Sequence, residues 1–293
     1  MKFGVNLFPT DTSARPAEVA AEAEARGFGS FWVSEHSHMP LTTEFPLGGE
    51  VPREYASMLD PFVALASAAQ ATSRIELGTG ILILPQHDPI NSAKAVSSID
   101  LLSGGRMTLG IGAGWNEPEM NNHGTAFKSR FKVMRERTEA MKQLWTHEEA
   151  EYHGDTVSFD PVWQWPKPVQ QPHPQVLIAG AHPRVIERVA RYGDGWMPVV
   201  VPEANPLSFG RMTPIAELQE LVPQMNQLAA DAGRAKPRLV IAGFLTPESY
   251  EIYESLGVDT VYTRVPSEDF DAVRRAMDEF TAAIEISGGQ LAA

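Results

Sequence analysis

Short apolar runs alternate with amphipathic stretches along the whole chain. Eight runs have the length and the β-branched or aromatic content of strands: residues 3–8, 28–35, 74–84, 106–113, 175–179, 195–201, 238–244 and 258–263. Most are apolar throughout rather than alternating, which predicts parallel strands covered on both faces. Helical patterns fill the gaps, over residues 16–26, 91–102, 130–147, 183–192, 216–232, 247–256 and 268–286. A further helix starts at Asp60-Pro61, because Asp caps an N-terminus and Pro is tolerated in the first turn. Polar loops interrupt the pattern after the second, fourth and sixth strands, and residues 151–159 read as an extended excursion before Trp165-Pro166-Lys167-Pro168.

Eight strand–helix units predict an α/β fold, a (β/α)8 TIM barrel formed by residues 1–293 as one domain, with insertions after strands 2, 4 and 6. The rival is an open doubly wound sheet. That fold carries a Gly-rich phosphate turn after its first strand, whereas this chain has Pro9-Thr10-Asp11-Thr12 there.

Charge and composition narrow the partners. Lys and Arg total 24 against 37 Asp and Glu, a net charge of -13. Such a surface repels nucleic acid and anionic membranes. The chain has no cysteine, which excludes disulfides, thiolate metal sites and cysteine nucleophiles. No stretch approaches the roughly 18 apolar residues of a membrane span, and no signal region precedes the first strand. The expectation is a cytoplasmic protein with a small-molecule substrate.

In a barrel of this kind the chemistry sits on the loops after the strands. Glu35-His36 is the sharpest pair there. A His just past a strand end can exchange a proton near neutral pH, or it can simply cap a loop. Thr79-Gly80-Ile81 places a glycine inside an apolar strand, the mark of a bulge, of a ligand approaching the backbone, or of tight packing. Gly110, Gly112 and Gly114 alternate along strand four, leaving room for a flat ring or for neighbouring side chains. Ala179-Gly180-Ala181-His182-Pro183 leads into a helix whose first amides and dipole suit a phosphate. The eight histidines show no metal-ligand spacing, so no metal is expected. Glu35 with Glu117 or Glu119, near Trp115, Trp163 and Trp165, could imitate a glycosidase carboxylate pair, though no motif accompanies it.

Four segments in order resemble the bacterial luciferase-like monooxygenase superfamily, in particular its branch that uses the deazaflavin coenzyme F420. They are FGSFWVSEH (28–36), RIELGTGILILPQHDPINSAKAVSSIDLLSGGRMTLGIGAGWNEPE (74–119), VLIAGAHPRVIERVARYGDGWMP (176–198) and GVDTVYTRVPSEDFDAVRRAMDEF (257–280). The resemblance spans essentially the whole chain.

It implies a catalytic His36 beside the reactive ring carbon, with Glu35 and Trp115 as its companions. It implies a non-proline cis peptide at Gly80-Ile81, flanked by Thr79, behind the central ring. Ala113 and Gly114 would meet the pyrimidine end, and Ala179, Gly180, Ala181, His182 and Pro183 the phosphate. Phe8, Trp115 and Asn116 would shape the substrate wall. Where the sugar-phosphate dehydrogenase branch keeps an acid after the glycine of strand four, this chain has Trp115, so Glu117 or Glu119 would have to replace it. Arg211 and Arg264 are the candidates for the cofactor's acidic tail. The reading implied is an F420-dependent oxidoreductase that moves hydride to or from a small organic substrate, as a homodimer. The alternatives are an FMNH2-dependent monooxygenase served by a flavin reductase, and a non-catalytic flavin-binding protein.

Overall fold

The computed structural model describes residues 1–46, 48–203 and 212–292. Eight parallel strands close into a barrel: β1 Lys2–Leu7, β2 Ser30–Val33, β3 Glu76–Ile83, β4 Met107–Gly112, β5 Val176–Ala179, β6 Gly195–Met197, β7 Arg238–Ala242 and β8 Thr260–Arg264. Each strand pairs with its neighbour in sequence, and β8 returns to β1 with Phe3 opposite Val261. The strand–helix alternation therefore yields the closed barrel and not the open sheet.

Helices form where caps and prolines start them. The Asp60 carboxylate accepts from the amides of Phe62 and Val63 at 2.9 and 3.0 Å and opens α2, Pro61–Ala71. Asp88 does the same for α3, Pro89–Ser103, through the Asn91 amide at 2.8 Å. That Asp-Pro pair starts α3 two residues before its apolar periodicity begins. The remaining helices are α1 Pro16–Ala25, α4 Glu117–Asn122, α5 Arg130–Thr146, α6 Val185–Tyr192, α7 Ile215–Asp231, α8 Pro247–Leu256 and α9 Phe270–Ile286.

Three readings change in detail. The extended excursion is an antiparallel hairpin, Glu149–His153 with Ser158–Trp163, tied to α5 where buried Glu136 accepts from the Thr156 amide at 2.6 Å. The run 195–201 is divided. β6 ends at Met197, and Val200–Val201 leaves the barrel to pair with Thr213–Pro214. Pro198 lies at the break and has no N–H for a ladder. Helix α6 begins at Val185 after a turn, not at Pro183.

Two apolar layers hold the fold. One lies between strands and helices and includes Val5, Leu7, Phe31, Leu65, Leu77 and Leu109. The other fills the barrel with Trp32, Leu177, Met197, Val240 and Tyr262. The Trp32 and Tyr262 rings stack at 5.7 Å. Trp32 fits because β3 presents Gly78 to it, where a Cβ would stand 2.2 Å from the indole. At the N-terminal end the filling turns polar. Glu76 takes a bidentate contact from Arg238 at 2.9 and 3.2 Å and a hydrogen bond from Thr108 at 2.6 Å. Burial alone would raise the Glu76 carboxyl, but Arg238 and Thr108 outweigh it and hold it below its ordinary value.

Candidate active site

At the C-terminal mouth, β2 delivers Ser34, Glu35 and His36 in succession, all buried. Successive residues point to opposite sides, and their contacts show it. Glu35 turns away from the opening. One carboxylate oxygen accepts from the Ile83 amide at 2.6 Å and the other meets His87 Nε2 at 2.5 Å. Glu35 thus fastens the end of β2 to the end of β3, so the companion role expected for it becomes a positioning one. His87 lies mostly buried, which lowers its pKa, but Glu35 and then Asp60 outweigh burial and hold it above the ordinary value.

His36 sits between an acid and an indole. Its Nδ1 is 2.8 Å from Glu119 Oε2, and its Nε2 accepts from Trp115 Nε1 at 3.2 Å. An indole N–H only donates and a carboxylate only accepts, so the neutral ring in this arrangement carries its hydrogen on Nδ1. Glu119 is fully buried. Burial pushes its carboxyl up, but the His36 ring, with the Ser37 amide, outweighs this and holds it below its ordinary value.

Local sequence explains how Glu119 arrives there. Asn116 caps α4, its side-chain oxygen accepting from the Glu119 amide at 3.3 Å, with Pro118 in the first turn. Glu117 on the same helix is exposed. Of the two acids weighed as replacements at Trp115, only Glu119 reaches His36. Asn116 itself is buried, and its amide donates to Thr43 Oγ1 and Met39 Sδ at 3.0 Å each. Asn116 was expected in a substrate wall, and its polar atoms tie the insertion after β2 to α4.

That insertion completes an aromatic box. Tyr55 meets His36, Phe45 and Phe8 with centroids at 5.4, 5.4 and 5.6 Å, and Phe45 meets Trp115 at 6.3 Å. Burial raises the Tyr55 hydroxyl above its ordinary value. Phe8 and Trp115 were expected in this wall. Tyr55 and Phe45 were not, because they lie in a loop of Gly, Pro and charged residues with no periodicity to orient them.

The bulge lies next to the box. The Gly80-Ile81 peptide is cis, and the β3–β4 register shifts between Thr79 and Leu82. Ser34 Oγ donates to the Gly80 carbonyl at 2.6 Å and is joined to Asn6. Thr79, expected at the ring, is fully buried and donates to the Gly110 carbonyl at 2.7 Å, so its side chain holds β4 rather than facing the mouth. Gly110 and Gly112 of β4, and Gly114 just past it, make room for protein, not for open space. A Cβ at Gly110 would stand 2.2 Å from the Thr79 carbonyl oxygen, one at Gly112 2.7 Å from Ile81, and one at Gly114 2.8 Å from Ile83. Ala113 is buried beside them.

Ile81 of the bulge lies half-buried with Ala179 and Ala242 over the inner apolar layer. Trp196 Nε1 holds the Gly180 carbonyl at 2.8 Å. Gly180 takes φ +133°, where only a distant Val185 methyl would face a Cβ. Ala181 is buried, while His182 and Pro183 are exposed in the turn before α6, which starts without a side-chain cap. Arg264 stacks over Phe8 at 3.7 Å and pairs with Glu54 at 2.5 Å, so it braces the box and does not stand free for an acidic tail. Arg211 lies outside the described residues.

The profile of the luciferase-like monooxygenase family matches residues 1–251. The chain belongs to the luciferase-like monooxygenase family. Members of this oxidoreductase family resemble it over different extents. An uncharacterized protein of Mycobacterium tuberculosis is 36% identical over 300 residues, covering 100% of this chain and 99% of its own. An F420-dependent glucose-6-phosphate dehydrogenase of Amycolatopsis mediterranei is 33% identical over 184 residues, 61% of this chain and 51% of that enzyme. Among solved structures, an F420-dependent secondary alcohol dehydrogenase superposes with TM-score 0.73 at 18% identity, covering 98% of this chain and 99% of that one. The oxygenating constituent of 3,6-diketocamphane monooxygenase from Pseudomonas putida, in complex with FMN, superposes with TM-score 0.63 at 17% identity, covering 99% and 78%. These two structural likenesses establish the fold that this luciferase-like chain shares. Among the described residues no helix is long and apolar enough to cross a membrane, and no group of three or more His, Cys, Asp or Glu could hold a metal.

Proposed function

We propose that this luciferase-like protein is a coenzyme F420-dependent oxidoreductase acting on a small, largely apolar organic substrate. The observation that carries the reading is His36, whose Nε2 faces Trp115 at the barrel mouth within an aromatic wall. The partial match to a sugar-phosphate dehydrogenase that uses F420 supports the choice of cofactor.

The residues present fit a flat, phosphate-bearing cofactor. Ile81, Ala179 and Ala242 offer an apolar floor of small and branched side chains above the inner layer. The turn from Gly180 to Pro183 precedes a helix whose N-terminal dipole favours a phosphate. When bound, a deazaflavin supplies a carbon centre that takes up or gives hydride. Gly80 and Ile81 would back its ring, Ala113 and Gly114 its pyrimidine edge, and residues 179–183 its phosphate. His36 would exchange a proton with the substrate, and Phe8, Phe45, Tyr55 and Trp115 would exclude water from it.

The sugar-phosphate substrate of that relative does not carry over, because Trp115 stands where its branch keeps an acid. The reading further places the protein in the cytoplasm as a homodimer. If the cofactor were FMNH2 instead, a flavin reductase would be the required partner.

Titration of oxidised F420 with the protein tests the proposal. Saturable quenching of the deazaflavin fluorescence is expected. No quenching at any practical protein concentration, together with oxygen uptake on addition of FMNH2, overturns it in favour of a monooxygenase.

A further inference from the structure

Two histidines meet at the rim of the mouth, outside the aromatic box. His38 lies on the loop that leaves β2, and His123 is the residue that ends α4. Their ring centroids are 5.4 Å apart. His38 Nδ1 stands 2.9 Å and His123 Nε2 2.7 Å from the same atom, the Ser37 hydroxyl oxygen. Ser37 and His123 are exposed and His38 is half-buried, so the group is open to solvent. Behind it, Glu119 Oε1 lies 3.5 Å from Ser37 Oγ. The ionisable groups acting most strongly on the His123 ring are His38, Glu119, His87 and Glu35, with no Lys or Arg among them. Ser37 and His123 lie 86 positions apart in the chain, so no local spacing shows the group.

A serine beside a histidine can also be a nucleophile with its base. Such a pair needs a third group to orient the far ring nitrogen, and among the described residues His123 Nδ1 has no hydrogen-bond partner. Two imidazoles that converge on one point suit a cation instead. We infer that Ser37, His38 and His123 form a binding site for a divalent transition-metal ion of the class that imidazole favours, Zn2+, Ni2+ or Cu2+. His38 Nδ1 and His123 Nε2 supply two ligands, and the Ser37 hydroxyl and water the rest. With two imidazoles and no third His, Cys, Asp or Glu in reach, it is an open site, unlike the closed four-ligand sites that build folds. Metal–nitrogen distances are about 2.0–2.1 Å, so the two rings close on the ion by rotation of their side chains. A ligating imidazole needs its other N–H held. The Asn122 side-chain amide stands 2.9 Å from His38 Nε2 and accepts that hydrogen when its oxygen is turned inward. The Glu119 carboxylate and the net charge of -13 both favour a cation there. The ion joins the loop after β2 to α4, the helix that carries Glu119 to His36. The site is independent of the cofactor reading.

The test uses the full chain without cofactor and without a histidine tag. Zn2+ and Ni2+ are titrated by calorimetry and in thermal unfolding. One ion per chain is expected to bind, with a melting temperature that rises with ion concentration, because an ion held only by the folded state stabilises it. His38→Ala and His123→Ala are each expected to weaken binding tenfold or more, and to unfold as the wild type does when no metal is added. His153→Ala, which removes an exposed histidine of the hairpin, should bind the ion like the wild type. Mg2+, which prefers oxygen ligands, should give neither heat nor stabilisation.

Cu2+ supplies a signature that a change in stability cannot mimic. Pulsed electron paramagnetic resonance with less than one equivalent of Cu2+ should show two coupled imidazole nitrogens in the wild type and at most one in either variant. Binding of Zn2+ and Ni2+ that survives either substitution, or a wild-type copper spectrum with a single imidazole, overturns the site. Absence of binding by both ions overturns it as well. F420 enters none of these readouts, so the site and the oxidoreductase reading fail separately.

Discussion

The two ends of the barrel use buried charge in opposite ways. At the N-terminal end, Glu76 is saturated by Arg238 and Thr108, and Arg238 also donates to Gln175 at 2.7 Å. Every strong group there is matched inside the protein, so the end works as a polar plug. At the mouth, Glu119 and Glu35 are also matched, but each is matched to a histidine, and His36 keeps one nitrogen turned to the aromatic box. The same barrel thus closes one end with ion pairs and sets at the other a histidine nitrogen that accepts from Trp115 in an apolar setting. Conserving charge pairs stabilises; leaving one lone pair at the end of such a pair equips a site.

Substitutions at each end should separate these roles. The largest effect is expected from His36→Gln, whose amide can still donate to buried Glu119 and which should lower kcat/KM by about 10²-fold or more, the range of a lost general acid–base group, with little change in melting temperature. A comparable loss of stability would place His36 with the plug residues. Next, Arg238→Met leaves the Glu76 carboxylate buried without its partner and should cost about 3 kcal/mol of stability, read from denaturant unfolding, while activity per folded molecule is retained. Phe45→Ala removes one wall of the box. An aromatic contact contributes about 1 kcal/mol, so KM for an apolar substrate should rise roughly fivefold with kcat little changed.

The smallest effect concerns pH. The folded pKa of His87 is raised by Glu35 against burial, so its contribution to stability is fully present below the unfolded value of about 6.5. That contribution disappears as pH rises through the raised folded value. The melting temperature of His87→Gln should therefore fall furthest below wild type near pH 6 and approach it at alkaline pH. A difference that widens with rising pH would contradict the Glu35–His87 assignment.

These contrasts also show why some of the molecule could be read from its residues and some could not. The strands and helices announced themselves through apolar runs and through Asp60-Pro61, and the Gly80-Ile81 bulge through a glycine inside an apolar strand. Periodicity is local, so it reports elements well. It reports less well where an element begins, as Asp88-Pro89 shows by starting α3 ahead of its apolar pattern. Side-chain destinations are set by contacts across the barrel. Thr79 and Asn116 sit in the right segments, yet their polar groups serve β4 and α4. Tyr55 and Phe45 come to His36 only because the insertion after β2 folds back over the mouth. Glu119 was within reach of a local signal, since Asn116 and Pro118 mark a helix start that turns the third helical residue inward. Its partner lies 83 residues earlier in the chain.

The most direct test of the proposed oxidoreductase is the melting temperature of the protein with oxidised F420 and, separately, with FMN. A ligand that binds only the folded state stabilises by RT ln(1 + [L]/Kd), about 2.7 kcal/mol at a hundredfold excess over Kd. The account predicts a rise with F420 that grows with its concentration, and a much smaller one with FMN. A rise with FMN and none with F420 would contradict it.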